Sequence, residues 1–437
     1  MEFHQLTPQN VVAELLTAPY EGLPELITTP ELFEDMLAAL AAGNGPFAID
    51  AERASGYRYS SRAYLIQIKR TDGGLHLLDP IPFGVDSPYF ERLNQLLDGE
   101  EVILHASTQD LPCLREVGIN PTHLFDTELA GRLIGLPRVG LGALVESLLD
   151  IALAKEHSAQ DWSIRPLPED WLNYAALDVE LLIELRNEIE KLLIEKKKLK
   201  WALQDFASIL AASPSPKRID PWRRTSGVHK IKKRSQLAVV KSLWEARDDL
   251  AAHLDISPGR VLSDLAISTI ALASGTAPLT TKRELEKVLR PIGLRARWFE
   301  NTPRWLKAVE SAIALSEDEM PPLKSKSDAL PPIKIWRERF PEKFTPLSHA
   351  RFNMSLKAEE LELPVENLLT PELLRQVCWR LPDPTEVEPL LISLGARPWQ
   401  VEIATPILIA ALGEDEPLEV PESEESAADQ PSEALAE

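Results

Sequence analysis

The stretch Phe47–Ile68, FAIDAERASGYRYSSRAYLIQI, decides how the chain is read. It begins as an apolar strand and places Asp50 and Glu52 at its end. Side chains alternate faces along a strand, so these two carboxylates point the same way. Like charges side by side repel unless something cationic sits between them. The reason for the pairing must lie elsewhere in the chain.

The flanking residues predict the architecture. Residues 30–42, PELFEDMLAALAA, read as a short helix, with Thr29 as N-cap, Pro30 at the first position and Gly43 past the end. Strand-like apolar runs follow at Phe47–Ala51, Tyr64–Lys69, Leu75–Asp79 and Val102–His105. Short polar turns such as Thr71-Asp72-Gly73-Gly74 separate the first three and predict antiparallel pairing. Helical patterns then alternate with strands, the longest from about Glu169 to Ser208. The expected class is α/β, a mixed sheet covered by helices.

Residues 1–212 form this first unit. Residues 213–234 are rich in Pro, Ser and basic side chains and read as a basic linker, in which Lys217, Arg218, Arg223, Arg224, Lys230, Lys232, Lys233 and Arg234 face a single acid, Asp220. From 235 to 315 the pattern is helical only. Leu237, Val240, Leu243 and Trp244 recur at helical spacing, Ser257-Pro258 opens a helix, and Thr281 with Glu284 has capping-box spacing. A Pro/Ser/Lys-rich gap at 316–333 precedes a second helical unit at 334–412, of similar layout, which reads as a diverged repeat of the first. Residues 413–437 carry ten acidic residues and no Lys or Arg and read as a disordered acidic tail.

The 437 residues suit two or three domains, and 44% hydrophobic with 26% charged residues suits a soluble globular chain. No apolar run approaches the ~20 residues of a membrane helix, and no secretory signal pattern is present, so a cytoplasmic location is expected. Cys113 and Cys378 lie far apart and offer neither a disulfide framework nor a zinc pattern. The net charge of −21 argues against a nucleic-acid partner until its distribution is considered. The tail supplies about half of it, leaving local basic patches elsewhere. The tail itself is expected to suppress non-specific binding.

Two further acids complete the first pair. In VILHASTQDLPCLREVG a strand ends near His105 and Asp110 begins a helix; in WLNYAALDVELLIEL, Tyr174 and Asp178 are four apart on one helix face. Each acid alone is an ordinary turn or surface residue. Together they form D-x-E, then D, then Y-x3-D, in strand, helix and helix contexts. Four converging carboxylates make a poor core but a good cage for hard divalent ions, which prefer oxygen ligands. Two such ions activate a water and stabilise the leaving oxygen in phosphoryl displacement.

This set resembles the DEDD 3′→5′ exonucleases of the DEDDy branch, and within it the ribonuclease D family, over about residues 25–210. AERASGYRYSSRAYLIQI, LFDTELAGRLIG and DWSIRPLPEDWLNYAALDV carry the closer resemblance. The two helical units resemble the HRDC domain, the second more weakly. Many relatives have Thr where this chain has Ala51, a position between the ligands. The resemblance implies an RNase H-like sheet, Asp50, Glu52, Asp110 and Asp178 as ligands of two divalent ions (Mg²⁺ or Mn²⁺), and Tyr174 orienting the attacking water. It also implies release of nucleoside 5′-monophosphates from RNA 3′ ends, with tRNA precursors and other stable RNAs as substrates. Asp50 and Glu52 are then paired because a metal sits on the rim.

Other residues carry two readings each. His105 reads as a packing or hydrogen-bonding residue rather than a ligand, and Asp126 as a cap or orienting group. Lys155 and Arg165 could hold an RNA backbone, and Trp162 could stack or lie in the core. Tyr57, Arg58, Tyr59 and Arg62 interleave aromatic and basic groups as stacking and phosphate contacts do, or form a strand edge. The linker cations Arg223, Arg224, Lys232, Lys233 and Arg234 grip phosphates or belong to a solvated hinge; binding through them would weaken with salt. A DNA exonuclease is the alternative within the class, and an inert nucleic-acid-binding adaptor the alternative outside it.

Overall fold

The computed structural model describes residues 13–154, 160–213, 218–275, 279–293, 299–324 and 330–418. Lys155 and most of the acidic tail therefore lie outside the described residues. In chain order the first unit contains β1 (Glu14–Leu16), β2 (Leu26–Ile27), α1 (Pro30–Ala42), β3 (Asn44–Arg53), β4 (Ala63–Thr71) and β5 (Gly74–Leu78). It continues with α2 (Pro88–Leu97), β6 (Glu101–Leu104), α3 (Asp110–Val117), β7 (His123–Asp126), α4 (Thr127–Leu133), α5 (Leu141–Leu149) and β8 (Ile151–Leu153). Three helices end it: α6 (Glu169–Glu180), α7 (Leu182–Glu195) and α8 (Leu199–Ala211).

Six strands form one mixed sheet in the order β2-β5-β4-β3-β6-β7. β3, β4 and β5 are antiparallel, as the short turns predicted, while β6 runs parallel to β3 and β7 parallel to β6. β1 and β8 pair separately. The central strand is buried on both faces, so Phe47, Ala48 and Ile49 are consecutive apolar residues with no exposure. Ile66 and Ile68 of β4 face the main core with Phe33, Leu40 and Phe90. Leu65 and Leu77 face a smaller one with Trp162, Ala175 and Ala176. Asp50 pairs with Gln67 and Glu52 with Leu65, so both acids look toward the face covered by α6.

Thr29 caps α1, its hydroxyl accepting from the Leu32 amide at 3.4 Å, with Pro30 in the first turn. The long helical run expected over 169–208 is three helices. It breaks at Leu181, whose φ of −112° and ψ of 11° leave the helical range, and again near Lys197, where φ is 60°. Apolar spacing continues across both breaks, so periodicity alone could not show them. The short strand β7 within LFDTEL was not anticipated either.

The first helical unit comprises α9 (Arg234–Leu254), α10 (Pro258–Val261), α11 (Asp264–Ser274), α12 (Lys282–Leu289) and α13 (Thr302–Ile313). It has its own core around Leu243, Ile267, Leu285 and Trp305. The capping box of Thr281 and Glu284 is formed. Trp222 and Ile231 are buried in this core, so the basic stretch from 218 onward is folded against the unit.

The second unit comprises α14 (Ile333–Arg339), α15 (Pro341–Glu360), α16 (Val365–Leu368), α17 (Pro371–Arg380), α18 (Val387–Ser393) and α19 (Pro398–Leu412). Its buried Trp336, Leu347, Met354 and Trp399 belong to the same continuous core as the sheet domain. Both units share a sequence of parts. A long helix ends in a residue at positive φ, Asp255 (47°) or Glu362 (50°). A four-residue helix follows, and then a helix capped by Ser263 or Thr370. Among the described residues no helix is long and apolar enough to cross a membrane.

Candidate active site

The rim of β3, the start of α3 and one face of α6 meet at a single cleft of about 240 Å³, far larger than the ~30 Å³ share of one water. Asp50, Glu52, Asp110, Tyr174 and Asp178 all line it, together with Arg53, His105, Gln109, Leu141 and Leu182. Carboxylate oxygens of Asp50, Glu52 and Asp178 lie within 4.8 Å of one another. The helical spacing of Tyr174 and Asp178 turns both toward the strand. α6 is fixed there because Lys69 of β4 donates to the Glu180 carbonyl and pairs with its carboxylate at 3.2 Å.

Asp110 enters through a tight turn. Ala106, between β6 and α3, has φ of 57°, a conformation that side chains other than glycine adopt at a cost. Asp126 holds this turn: one of its oxygens accepts from the Ser107 amide at 2.8 Å and the Ser107 hydroxyl at 2.6 Å, and the other caps α4 through the Leu129 amide at 3.0 Å. His105 bonds through Nδ1 with the Thr127 hydroxyl at 2.9 Å. Asp126 and His105 are therefore held by the scaffold beside the acids, as the sequence suggested.

The electrostatics are those of acids crowded together in a buried cleft. Burial first, and then Asp50, Asp178 and Asp110, push the Glu52 carboxyl well above its ordinary value. Burial and Asp50 do the same to Asp178 and Asp110. Asp50 is raised by burial to about 6, with the Ala51 amide, Arg53 and a hydrogen bond from Asp110 pulling it partly back. The Tyr174 phenol is raised by burial and by the acids, so it keeps its proton at neutral pH. Burial lowers His105, which stays neutral. Four hard oxygen donors whose repulsion Arg53 and the hydrogen bond between Asp110 and Asp50 relieve only in part fit a divalent ion well.

The other anticipated contacts fall differently. Arg165 is committed within the protein: it binds Asp79 at 2.6 and 2.8 Å and the carbonyls of Trp162, Ile164 and Tyr64 at 2.7–2.8 Å. That replaces its expected role on RNA, since its guanidinium is fully spent on a structural clamp. Trp162 is a core residue against Trp171, with no exposure. Arg58 donates to the Ser163 hydroxyl at 2.7 Å, and Arg62 lies over the Tyr64 ring. The Tyr57 ring lies under Arg260 of the first helical unit. Arg223 binds Asp220 and the Pro322 carbonyl, and Arg234 the Met320 and Pro321 carbonyls. Arg224, Lys232 and Lys233 are exposed. Sequence reasoning missed Arg53 and Gln109, because strand alternation sends Arg53 away from Glu52.

The chain is similar to several known proteins. Residues 24–194 match a family model described as 3′-5′ exonuclease, residues 236–285 the HRDC domain, and residues 329–412 a model described as 3′ to 5′ exonuclease C-terminal domain. Fold and site together define a 3′→5′ exonuclease with an RNase H-like domain, a class that works with divalent metal. A ribonuclease D of Zymomonas mobilis is 32% identical over 281 residues, spanning 63% of this chain and 69% of that protein. One from Psychromonas ingrahamii is 26% identical over 364 residues, spanning 82% and 92%. The crystal structure of a protein from Bifidobacterium adolescentis superposes with a TM-score of 0.82 at 38% identity, covering 92% of this chain and all of that one. Escherichia coli RNase D shares the fold, with a TM-score of 0.62 at 22% identity over 89% of this chain and 98% of that one. The chain belongs to the ribonuclease D family of 3′→5′ exoribonucleases.

Proposed function

We propose that the chain trims RNA from the 3′ end, releasing nucleoside 5′-monophosphates, with Asp50, Glu52, Asp110 and Asp178 holding two divalent ions, Mg²⁺ or Mn²⁺. The observation that carries this is the meeting of three carboxylates within 4.8 Å in a cleft shared with Asp110 and Tyr174. When bound, the ions supply a hydroxide at neutral pH and stabilise charge on the leaving oxygen. The chain's own residues supply position. Tyr174, protonated throughout the neutral range, donates a hydrogen bond that orients the attacking water rather than removing its proton. Asp126 fixes the turn that aims Asp110.

Precursors of tRNA and other stable RNAs with accessible 3′ ends are the substrates that the family suggests. The exposed Arg224, Lys232 and Lys233 suit phosphate contacts along such an RNA. The test is a time course on 5′-labelled single-stranded RNA with a free 3′ hydroxyl, in Mg²⁺, Mn²⁺ or EDTA, beside a matched DNA. A ladder shortening from the 3′ end, abolished by EDTA and lowered on the order of 10²-fold or more by Tyr174→Phe, is expected. Intact RNA in both metals would refute the assignment, and faster loss of the DNA would replace the substrate.

A further inference from the structure

Arg53 is the residue of the cleft that the acid set leaves unexplained. By alternation it belongs on the face opposite Glu52. The pairing of β3 and β4 slips there: Glu52 faces Leu65, but Arg53 faces Ala63, which leaves Tyr64 as an extra residue. A bulge of this kind re-aims a neighbouring side chain. Arg53 accordingly lines the same cleft as the acids.

The bulge is held from two sides. The Tyr64 carbonyl accepts from Arg165 at 2.7 Å, and the Tyr64 hydroxyl donates to Asp255 of the first helical unit at 3.1 Å. Gln109, the residue before Asp110, also lines the cleft and accepts from Arg53 at 3.1 Å. Among the described residues that is the only hydrogen bond of the Arg53 side chain, and no carboxylate lies within ion-pair distance of it. A guanidinium has five N–H donors in a rigid fork that matches phosphate oxygens. Here the fork is oriented by an amide and left unspent in an anion-processing cleft.

We propose that Arg53 is a substrate contact, binding a non-bridging phosphate oxygen at the RNA 3′ end, with Gln109 as the residue that orients it. This rests on the exonuclease reading of the cleft. The rival role is that of a counter-charge to the acids, which would need no RNA. Arg53→Ala, Arg53→Lys and Gln109→Ala separate the two.

The readouts are KM and kcat on labelled RNA, and RNA affinity by fluorescence anisotropy in an Asp178→Asn background that blocks turnover. Mn²⁺ affinity is read by calorimetry. Loss of a charge-assisted hydrogen bond predicts KM and RNA Kd raised ~10–100-fold in Arg53→Ala, with Arg53→Lys partly rescuing. Gln109→Ala raises both a few-fold, and Mn²⁺ affinity is unchanged. Unchanged KM and Kd with tighter Mn²⁺ binding would overturn the proposal in favour of the counter-charge. If Arg53→Ala does not fold, the lysine and Gln109→Ala variants carry the same comparison. Failure of wild type to trim RNA at all would sink the underlying reading. Trimming with normal KM in all three variants would sink only the arginine assignment.

Discussion

The two helical units touch the nuclease domain with the same corner, the turn after their long helix, yet what lies behind that corner differs. In the first unit the corner is Asp255. Its carboxylate accepts from the amides of Tyr59 at 3.1 Å and Ser60 at 2.8 Å and from the Tyr64 hydroxyl. Burial alone would raise its pKa, but these hydrogen bonds outweigh it and hold the group below the ordinary value. Arg260 adds a bond to the Gly56 carbonyl and lies 4.1 Å from the Tyr57 ring centre. Among the described residues the unit's own core includes none from the sheet domain.

In the second unit the corner is Glu362, paired with Lys196. The buried Lys198 donates to the Leu133 and Glu362 carbonyls, and a Cβ on Gly135 would collide with the Glu362 carbonyl. Behind it Trp399 stacks on Trp201 at 4.8 Å and donates to Asp205 at 3.1 Å, inside the shared core. One corner is polar and ends on the loop that leads out of the active-site strand. The other is polar too, but the helices behind it share the nuclease core. The turn after the long helix thus meets the loop beyond the active-site strand in one unit and lies beside the shared core in the other.

This contrast can be broken experimentally. The largest stability effect belongs to Trp399→Ala, which leaves a cavity and removes one of the donors to Asp205. A loss of about 3–5 kcal/mol is expected in chemical denaturation, with the activity of the folded fraction kept. A smaller change, Asp255→Ala, sharpens the other side. It removes three hydrogen bonds on a partly exposed corner, so the expected stability loss is only about 1 kcal/mol. Turnover should nevertheless fall several-fold, because the bulge at Tyr64 loses a support. If Asp255→Ala destabilised the chain as Trp399→Ala does while leaving turnover intact, the two corners would not differ in role.

Much of this was legible in the sequence where one rule acts locally. The antiparallel ribbon, the caps at Thr29 and Thr281, and the acids at strand and helix ends follow from alternation, turn chemistry and 3.6-residue spacing. What was not legible depends on irregularity or on distant partners. Arg53 points into the cleft only because of a slip at Tyr64. Arg165 looks like a free cation in sequence but is consumed by Asp79, 86 positions away. The basic stretch after 217 reads as linker by composition, yet Trp222 and Ile231 anchor it in a core that only folding assembles.

Acids gathered to hold a cation should cost the fold stability when no metal is bound. Burial raises the pKa of all four acids on folding, Asp50 to about 6, and repulsion from neighbouring acids adds to the rise of Glu52, Asp110 and Asp178. These four acids therefore hold more protons in the folded chain than in the unfolded one above pH ~4, so their contribution makes metal-free stability fall as pH rises through about 6. The decisive measurement is thermal melting and Mn²⁺ calorimetry of wild type and Asp178→Asn at about pH 5 and about pH 8. The account predicts that metal-free wild type melts lower at the higher pH and recovers with Mn²⁺. Asp178→Asn should melt higher than wild type without metal and lose saturable Mn²⁺ binding. Equal melting at both pH values, with the same Mn²⁺ isotherm in the variant, would contradict it.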